Sequence, residues 1–362
     1  MPSAIQLLPK LTLVDRPPGH KRRAFIGAYG FEDRSLGWCL AMAKDRHAIS
    51  AAFVFKYFHP KGPNRVEDLK AALRHIGASK IVNVRYDMLC PQPLEDTLPD
   101  QICLEDYDEV VVDISAMTKL LILLVLCRLR EYAGTVRIVC SEAREYCPSK
   151  AEYDPVKGQM AVTARFPSRG AEQIVRLRCL SSIRMQGQPV TLVAFASFNE
   201  KLVSHMLGFI SPHRLILING RPPLAEYAWR EHATHDIHKR LYQEYDTDNP
   251  LNDQGVLARA TSTLDYRETV DELEKIYLQH GLFERIICAA TGSKMQTVGL
   301  YFSKIMHPDL QIEYPTPDSY YFKDMTHGVR QVHEVIIDGF AALLRSLRGR
   351  PATEVGPSKS QA

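Results

Sequence analysis

The sequence predicts an α/β protein made of two tandem Rossmann-like units, parallel-sheet halves arranged as a pseudo-dimer, and three observations carry that expectation. Apolar strand-like runs alternate with helical patterns, the grammar of βαβ units and parallel sheets. The same order begins again past the middle: Leu192–Phe198 repeats the pattern of Phe25–Phe31, and a lysine-bearing turn follows at a similar separation in each half, at Lys119 and at Lys294. Finally, Val110–Asp113 and Ile286–Ala290 are buried-type strands that break into small polar turns and run directly into apolar helices.

The elements follow in order. Residues 1–23 hold proline-rich patches and the basic cluster Arg16–Arg23, and read as a lead-in or short edge strand. Ala24–Ala28 is a strand, Tyr29–Ser35 its glycine-bearing turn, and Leu36–Ala48 a helix. Ala51–Phe58 reads as a strand, Asn64–Ile76 as a helix and Lys80–Arg85 as a strand, before the Val110 motif and a fifth strand at Thr135–Cys140. From Ser141 the pattern changes to a loop bearing Glu142, Glu145, Tyr146, Pro148 and Tyr153, with a strand pair near Gln159–Arg165 and another strand over Ile174–Leu180. The chain therefore divides into an N-terminal unit, 1–187, with an insertion at 141–187, a C-terminal unit, 188–348, and a polar tail, 349–362, of disordered composition. In the second unit Val190–Phe195 and Arg214–Asn219 are strands, with Leu202–Phe209 a helix between them and a further helix through Tyr242. Asp265–His280 is an amphipathic helix capped by its Ser262–Tyr266 neighbourhood, and Arg285–Ala290, Met295–Ile305 and Leu310–Tyr314 are strand, helix and strand. Val329–Leu347 reads as a last amphipathic helix, with Val332, Val335, Ile336, Phe340 and Leu343 on one stripe.

Composition bounds the function. Hydrophobic content of 45% and charge of 24% are ordinary for a globular protein, and a net charge of +3 is too small to announce a nucleic-acid partner. The 8 cysteines stand singly with no C-x-x-C pair, which fits neither a zinc ribbon nor a disulfide framework and fits a reducing cytoplasm. The longest apolar run, Leu120–Cys127, falls far short of the ~20 residues needed to cross a bilayer. No export signal opens the chain, so a cytoplasmic protein without a membrane partner is expected.

The candidate site residues gather at the predicted strand ends. The unpaired N–H groups and positive dipole end of a helix that opens there attract an anion. Thr118 and Lys119 in one half, and Thr291, Gly292, Ser293 and Lys294 in the other, would add hydroxyl and ammonium donors for a phosphate-bearing small ligand. Asp113 and Ser115 end the Val110 strand; the carboxylate could act as a base, hold a ribose hydroxyl or simply cap the next helix. Gly30, Glu32 and Arg34 lie in the first turn, where an acid and an arginine can bind ribose and phosphate or form a solvated cap. Ser197 and Asn199 hold the matching turn of the second half, and Arg221 follows its second strand as a phosphate contact or plain turn residue. Glu142 and Glu145 are further carboxylates at the same sheet edge. His232, His235 and His238 drift around a helix without a carboxylate pattern that would complete a zinc site, so no metal and no cofactor is expected.

Thr291-Gly-Ser-Lys-Met295 is not a Walker A loop, because no glycine stands immediately before the lysine and Met295 stands where the magnesium ligand would be. After a hydrophobic strand, this turn resembles the signature loop of CARF domains, the Rossmann-like sensors of cyclic oligoadenylates in prokaryotic defence. Ser197, Phe198 and Asn199 match that family's first-strand loop, whereas Ala116-Met-Thr-Lys119 keeps hydroxyl and lysine but lacks the glycine. The resemblance implies a nucleotide sensor, with a cyclic oligonucleotide among its guests, that signals to a separate effector protein. An enzyme in the same cleft, a ring nuclease or nucleotide hydrolase using Lys294 and Asp113, is the other implied class, and a scaffold with purely structural turns is a third reading.

Overall fold

The computed structural model describes residues 4–15, 21–58, 64–158, 167–245, 259–321 and 325–348. The strand pair expected near Gln159–Arg165 and the tail 349–362 lie outside them. A short helix α1 (Ala4–Leu7) and strand β1 (Thr12–Leu13) lead into β2 (Arg23–Ala28). There follow α2 (Gly37–Ala41), β3 (Ala51–Tyr57), α3 (Val66–His75), β4 (Lys80–Tyr86), α4 (Gln92–Gln101), β5 (Glu109–Asp113), α5 (Lys119–Arg128) and β6 (Thr135–Glu142). The crossing segment carries β7 (Glu145–Tyr146), α6 (Lys150–Tyr153), β8 (Ser168–Arg169) and β9 (Gln173–Val175). The second unit runs β10 (Val190–Phe195), α7 (Glu200–Ile210), β11 (Arg214–Arg221), α8 (Trp229–Glu244), β12 (Ala260–Ser262), α9 (Tyr266–His280), β13 (Arg285–Ala289), α10 (Lys294–Met306) and β14 (Gln311–Thr316). It closes with β15 (Ser319–Tyr320), β16 (Thr326–His327), β17 (Gln331–Ile337) and α11 (Phe340–Arg348).

Two parallel five-strand sheets result, β6-β5-β2-β3-β4 and β12-β11-β10-β13-β14, and each places its first strand centrally with its fourth and fifth to one side. The chain is an α/β pseudo-dimer of two Rossmann-like units. Side chains of β5 and β6 are buried throughout, as expected of strands covered on both faces.

Each sheet is completed by a strand from the other half. After β6 the chain crosses over and β9 pairs antiparallel with β14; after β14 it crosses back and β17 pairs antiparallel with β6. The crossing segments also pair with each other, β7 with β16 and β8 with β15. The exchange corrects two expectations. Residues 331–337 are a strand and not part of a helix, because they pair antiparallel with β6 on one side and with β1 on the other, and only 340–348 keep the helical stripe. Residues 173–175 likewise join the second sheet although they precede residue 188, and only Ile174 and Val175 of the expected 174–180 strand are in it. The helix expected over 36–48 is a 3-10 turn at Asp33–Leu36 and the short α2, and α4 was not anticipated.

Ion pairs with at least one buried partner hold both exchanged strands. Arg137 on β6 donates to Glu334 on β17 at 2.6 Å and to Glu109 on β5 at 2.9 Å, and Arg23 on β2 lies 3.2 Å from Glu109. In the other sheet Arg176, just past β9, donates to the fully buried Glu313 of β14 at 2.8 Å. Arg137→Met leaves Glu334 buried without a cation, so a loss of ~3–5 kcal/mol is expected from urea unfolding midpoints; an unchanged midpoint would mean that the pair does not hold the crossed strand.

Candidate functional site

The two helices that follow the lysine turns pack against each other between the sheets. Helix α5 is apolar around its whole circumference, with Leu120–Leu126 buried, and the Tyr301 hydroxyl on α10 donates to the Leu126 carbonyl at 2.9 Å. Both N-termini open on one cavity of about 420 Å³. Thr118 caps α5 by accepting from Leu121 N–H, and Ser293 caps α10 in a reciprocal box with Gln296. Close backbone approach accounts for the glycines: a Cβ on Gly30 would sit 2.7 Å from Ala116 Cβ, and one on Gly292 would sit 2.8 Å from Phe195 Cβ.

Gly30, Glu32, Arg34, Thr118, Lys119, Gly292, Ser293 and Lys294 all line the cavity. Lys294 reaches from the second half into the first, where its ammonium donates to the Ser115 carbonyl. Burial and the nearby Arg34 lower its pKa to about 7, against Glu32, Cys140 and Asp113, which favour the charged form. Arg34 is held by Glu32 through two hydrogen bonds of 3.0 Å. Burial opposes the Glu32 charge, but Arg34, Lys294 and the Thr326 hydroxyl outweigh it and keep the carboxyl ionised below its usual range. Lys119 has no carboxylate partner among the described residues, and burial alone lowers its pKa to about 8.

The other expected residues stand elsewhere. Asp113 lies behind the lining, its Oδ1 accepting from Ser115 N–H at 2.9 Å and its buried Oδ2 without a partner among the described residues. Burial raises it to about 6, with Ser115, Lys294 and Arg34 pulling the other way. Ser115 is buried and accepts from Ser141 N–H at 2.8 Å, tying the ends of β5 and β6 together. Thr291 performs the same service in the second half, donating to the Phe195 carbonyl at 2.7 Å and accepting from its N–H at 2.9 Å. Arg221 is exposed and pairs with Glu268 at 2.6 Å.

Ser197 and Asn199 do not reach the cavity. Asn199 instead donates to Ser168 Oγ at 3.2 Å and the Gly170 carbonyl at 3.0 Å, holding the crossing segment. Phe198 packs with Tyr153 of α6 and Trp229 at centroid distances of 6.2 and 6.3 Å. The 141–187 segment thereby covers the second half's first-strand turn, while the first half's stays open. Glu142 lines the cavity and meets His333 Nε2 at 3.3 Å, and the half-buried Tyr146 beside it also lines the wall, whereas Glu145 sits on β7 away from it.

Sequence reasoning missed several lining residues. Arg230 donates to the Pro148 and Cys147 carbonyls at 2.7 and 3.2 Å and lies 4.5 Å over the Phe198 ring, with no carboxylate among the charges acting on it; burial lowers its pKa to about 10. Tyr57, Tyr314 and Tyr320 form an aromatic wall with Met88 beside Thr118. The Tyr57 hydroxyl accepts from Thr118 N–H at 2.9 Å and donates to the Ala116 carbonyl at 3.0 Å. Thr263 and Leu264 also line the space. The spacing of these residues carries no periodic signal; the pairing of strand ends across the halves is what collects them.

The whole is an inter-unit cleft of an α/β pseudo-dimer, lined by four cationic side chains and two carboxylates. No family model and no curated protein matches the chain. Among solved structures it is similar to a Type III CRISPR defence DNA nuclease activated by cyclic oligoadenylate, at 11% identity and a TM-score of 0.45, covering 85% of this chain and 68% of that one. At that level neither ligand nor activity transfers. No helix among the described residues is long and apolar enough to cross a membrane.

The lysines give the ligand-free protein a defined pH response. Both have folded pKa values below the unfolded 10.5, so the unfolded chain holds more protons and stability rises with pH, from about 7 for Lys294 and about 8 for Lys119. Asp113, raised from 3.8 to about 6, contributes oppositely, its stabilisation being lost as pH climbs through about 6. Lys294→Met should remove the part of the rise that begins near pH 7 and keep the later part, as read from urea midpoints across that range; an unaltered profile would mean that Lys294 stays charged.

Proposed function

We propose that this protein is a sensor that binds a phosphate-bearing nucleotide in the cleft between its halves and passes the event to a separate effector protein. The observation that carries the reading is Lys119, a half-buried cation at a helix N-terminus with no carboxylate partner among the described residues, facing the same space as Lys294. An anion between two opposed helix N-termini would satisfy the free N–H groups, both dipoles and that unbalanced charge together. The resemblance of the Thr291–Met295 turn to CARF loops adds cyclic oligonucleotides to the candidate guests and prokaryotic defence to the candidate settings.

One observation favours an enzyme in the same cleft: Lys294 and Asp113 titrate near neutrality and influence each other. On a cyclic ligand, a 2′-oxygen–phosphorus bond would form as the phosphorus–5′-oxygen bond breaks. Neutral Lys294 would accept the hydroxyl proton and, as the ammonium, return it to the departing 5′-oxygen, Lys119 would balance charge on phosphorus, and Asp113, behind the lining, would act through Lys294 as a positioning residue.

A panel of mononucleotides and cyclic oligonucleotides, read by thermal shift and product chromatography, separates these readings. A melting shift without products is expected of the sensor, products of the enzyme, and silence across the panel of a scaffold. Lys119→Ala should weaken nucleotide binding by ~1.5–3 kcal/mol, roughly 10- to 100-fold in Kd by calorimetry; unchanged affinity would remove Lys119 from the site.

A further inference from the structure

The two ends of the cleft differ in chemistry although the fold that builds them is repeated. Asp113 and Cys288 stand equally far before their lysines and pair with Val139 and Ile312 on the neighbouring strands. Two residues further on, Ser141 and Tyr314 line the cavity, so a hydroxyl on one side answers an aromatic ring on the other. Where the first half offers Phe31, Glu32 and Arg34 to the space, the second half's Phe198 and Asn199 are consumed by Tyr153, Trp229 and the crossing segment. The end around Lys294 is therefore ionic, with Glu32 and Arg34 at its wall. The end around Thr118 and Lys119 is built from Tyr57, Tyr314, Tyr320 and Met88.

A guest with two-fold symmetry would present the same groups to both ends and could suit only one of them. A linear nucleotide has two unlike ends: a planar base that packs on aromatic rings and a phosphate that seeks helix N-termini and ammonium groups. The space of about 420 Å³ lies toward the small end of ordinary ligand sites.

Building on the nucleotide-binding reading above, we infer that the cleft selects a linear nucleoside 5′-phosphate over a two-fold-symmetric cyclic oligonucleotide. Its base lies against Tyr57, Tyr314 and Tyr320, and its phosphate lies between Lys119 and Lys294. Tyr320 is the specificity residue on the base side. It is half-buried, and among the described residues its hydroxyl makes only long contacts, 3.5 Å to Tyr314 and 4.0 Å to Met88, so the ring can be replaced with little loss of hydrogen bonding.

The test titrates the full chain by calorimetry with adenosine and guanosine 5′-mono- and diphosphates, cyclic di- and tetra-adenylate, and ribose 5-phosphate. A linear nucleotide is expected to bind one per chain and at least about tenfold more tightly than either ring. Tyr320→Leu, which keeps apolar volume but removes the ring, should weaken the nucleotide about tenfold or more and leave ribose 5-phosphate unchanged. A ring that binds as tightly as the linear compounds, or a Tyr320→Leu loss equal for both probes, overturns the inference and leaves the nucleotide-binding reading standing. No binding by any member of the panel overturns both. A melting curve of the variant like that of the parent excludes misfolding.

Discussion

The packing of α5 against α10 is the constraint on which the cleft depends. An α-helix apolar on every side has to be covered on every side, and here a sheet of its own unit and the equivalent helix of the other unit share that task. Once the helices meet, their opening turns lie on one space, and the lysines at those turns are drawn out of water together. Burial then does what proximity alone would not: it makes both ammonium groups easier to discharge and an entering anion more welcome. The glycines at positions 30 and 292 keep each turn close to its own half, Gly30 against Ala116 and Gly292 against Phe195, where an added Cβ would clash.

Much of the architecture was legible because it rests on local signals. Val110–Asp113 and Ile286–Ala290 are short, mostly β-branched or apolar, and followed within a few residues by the helix caps Thr118 and Ser293, so strand, turn and helix could be read from a dozen residues each. What was not legible is pairing at a distance. Residues 331–337 place Val332, Val335 and Ile336 at a spacing that also suits an amphipathic helix stripe over a short window, and only their pairing with β6 and β1 makes them a strand. The same limit governed the site. Lys119 and Lys294 announced themselves through their turns, whereas Tyr57, Tyr320 and Arg230 come from ordinary-looking stretches and acquire a role only when strand ends from both units converge.

The repeat is shared in topology, apart from the extra edge strand β1 in the first sheet, and unequal in chemistry. Five parallel strands in the same order, an exchanged sixth and a capped helix recur in both halves, yet one first-strand turn faces the cleft while its counterpart lies beneath α6, Tyr153 and Trp229. Asn199, in the place of Glu32, illustrates how such a divergence is stabilised: its amide serves the crossing segment through two hydrogen bonds, where a carboxylate would have no proton to give.

The traded outer strands bear on how the polypeptide is made. While it leaves the ribosome, β6 emerges as a strand destined for full burial whose outer hydrogen-bonding groups have nothing to meet until residue 337 has followed. The first sheet thus waits with a bare, adhesive rim throughout synthesis of the second, and the two units mature as one cooperative body rather than in succession.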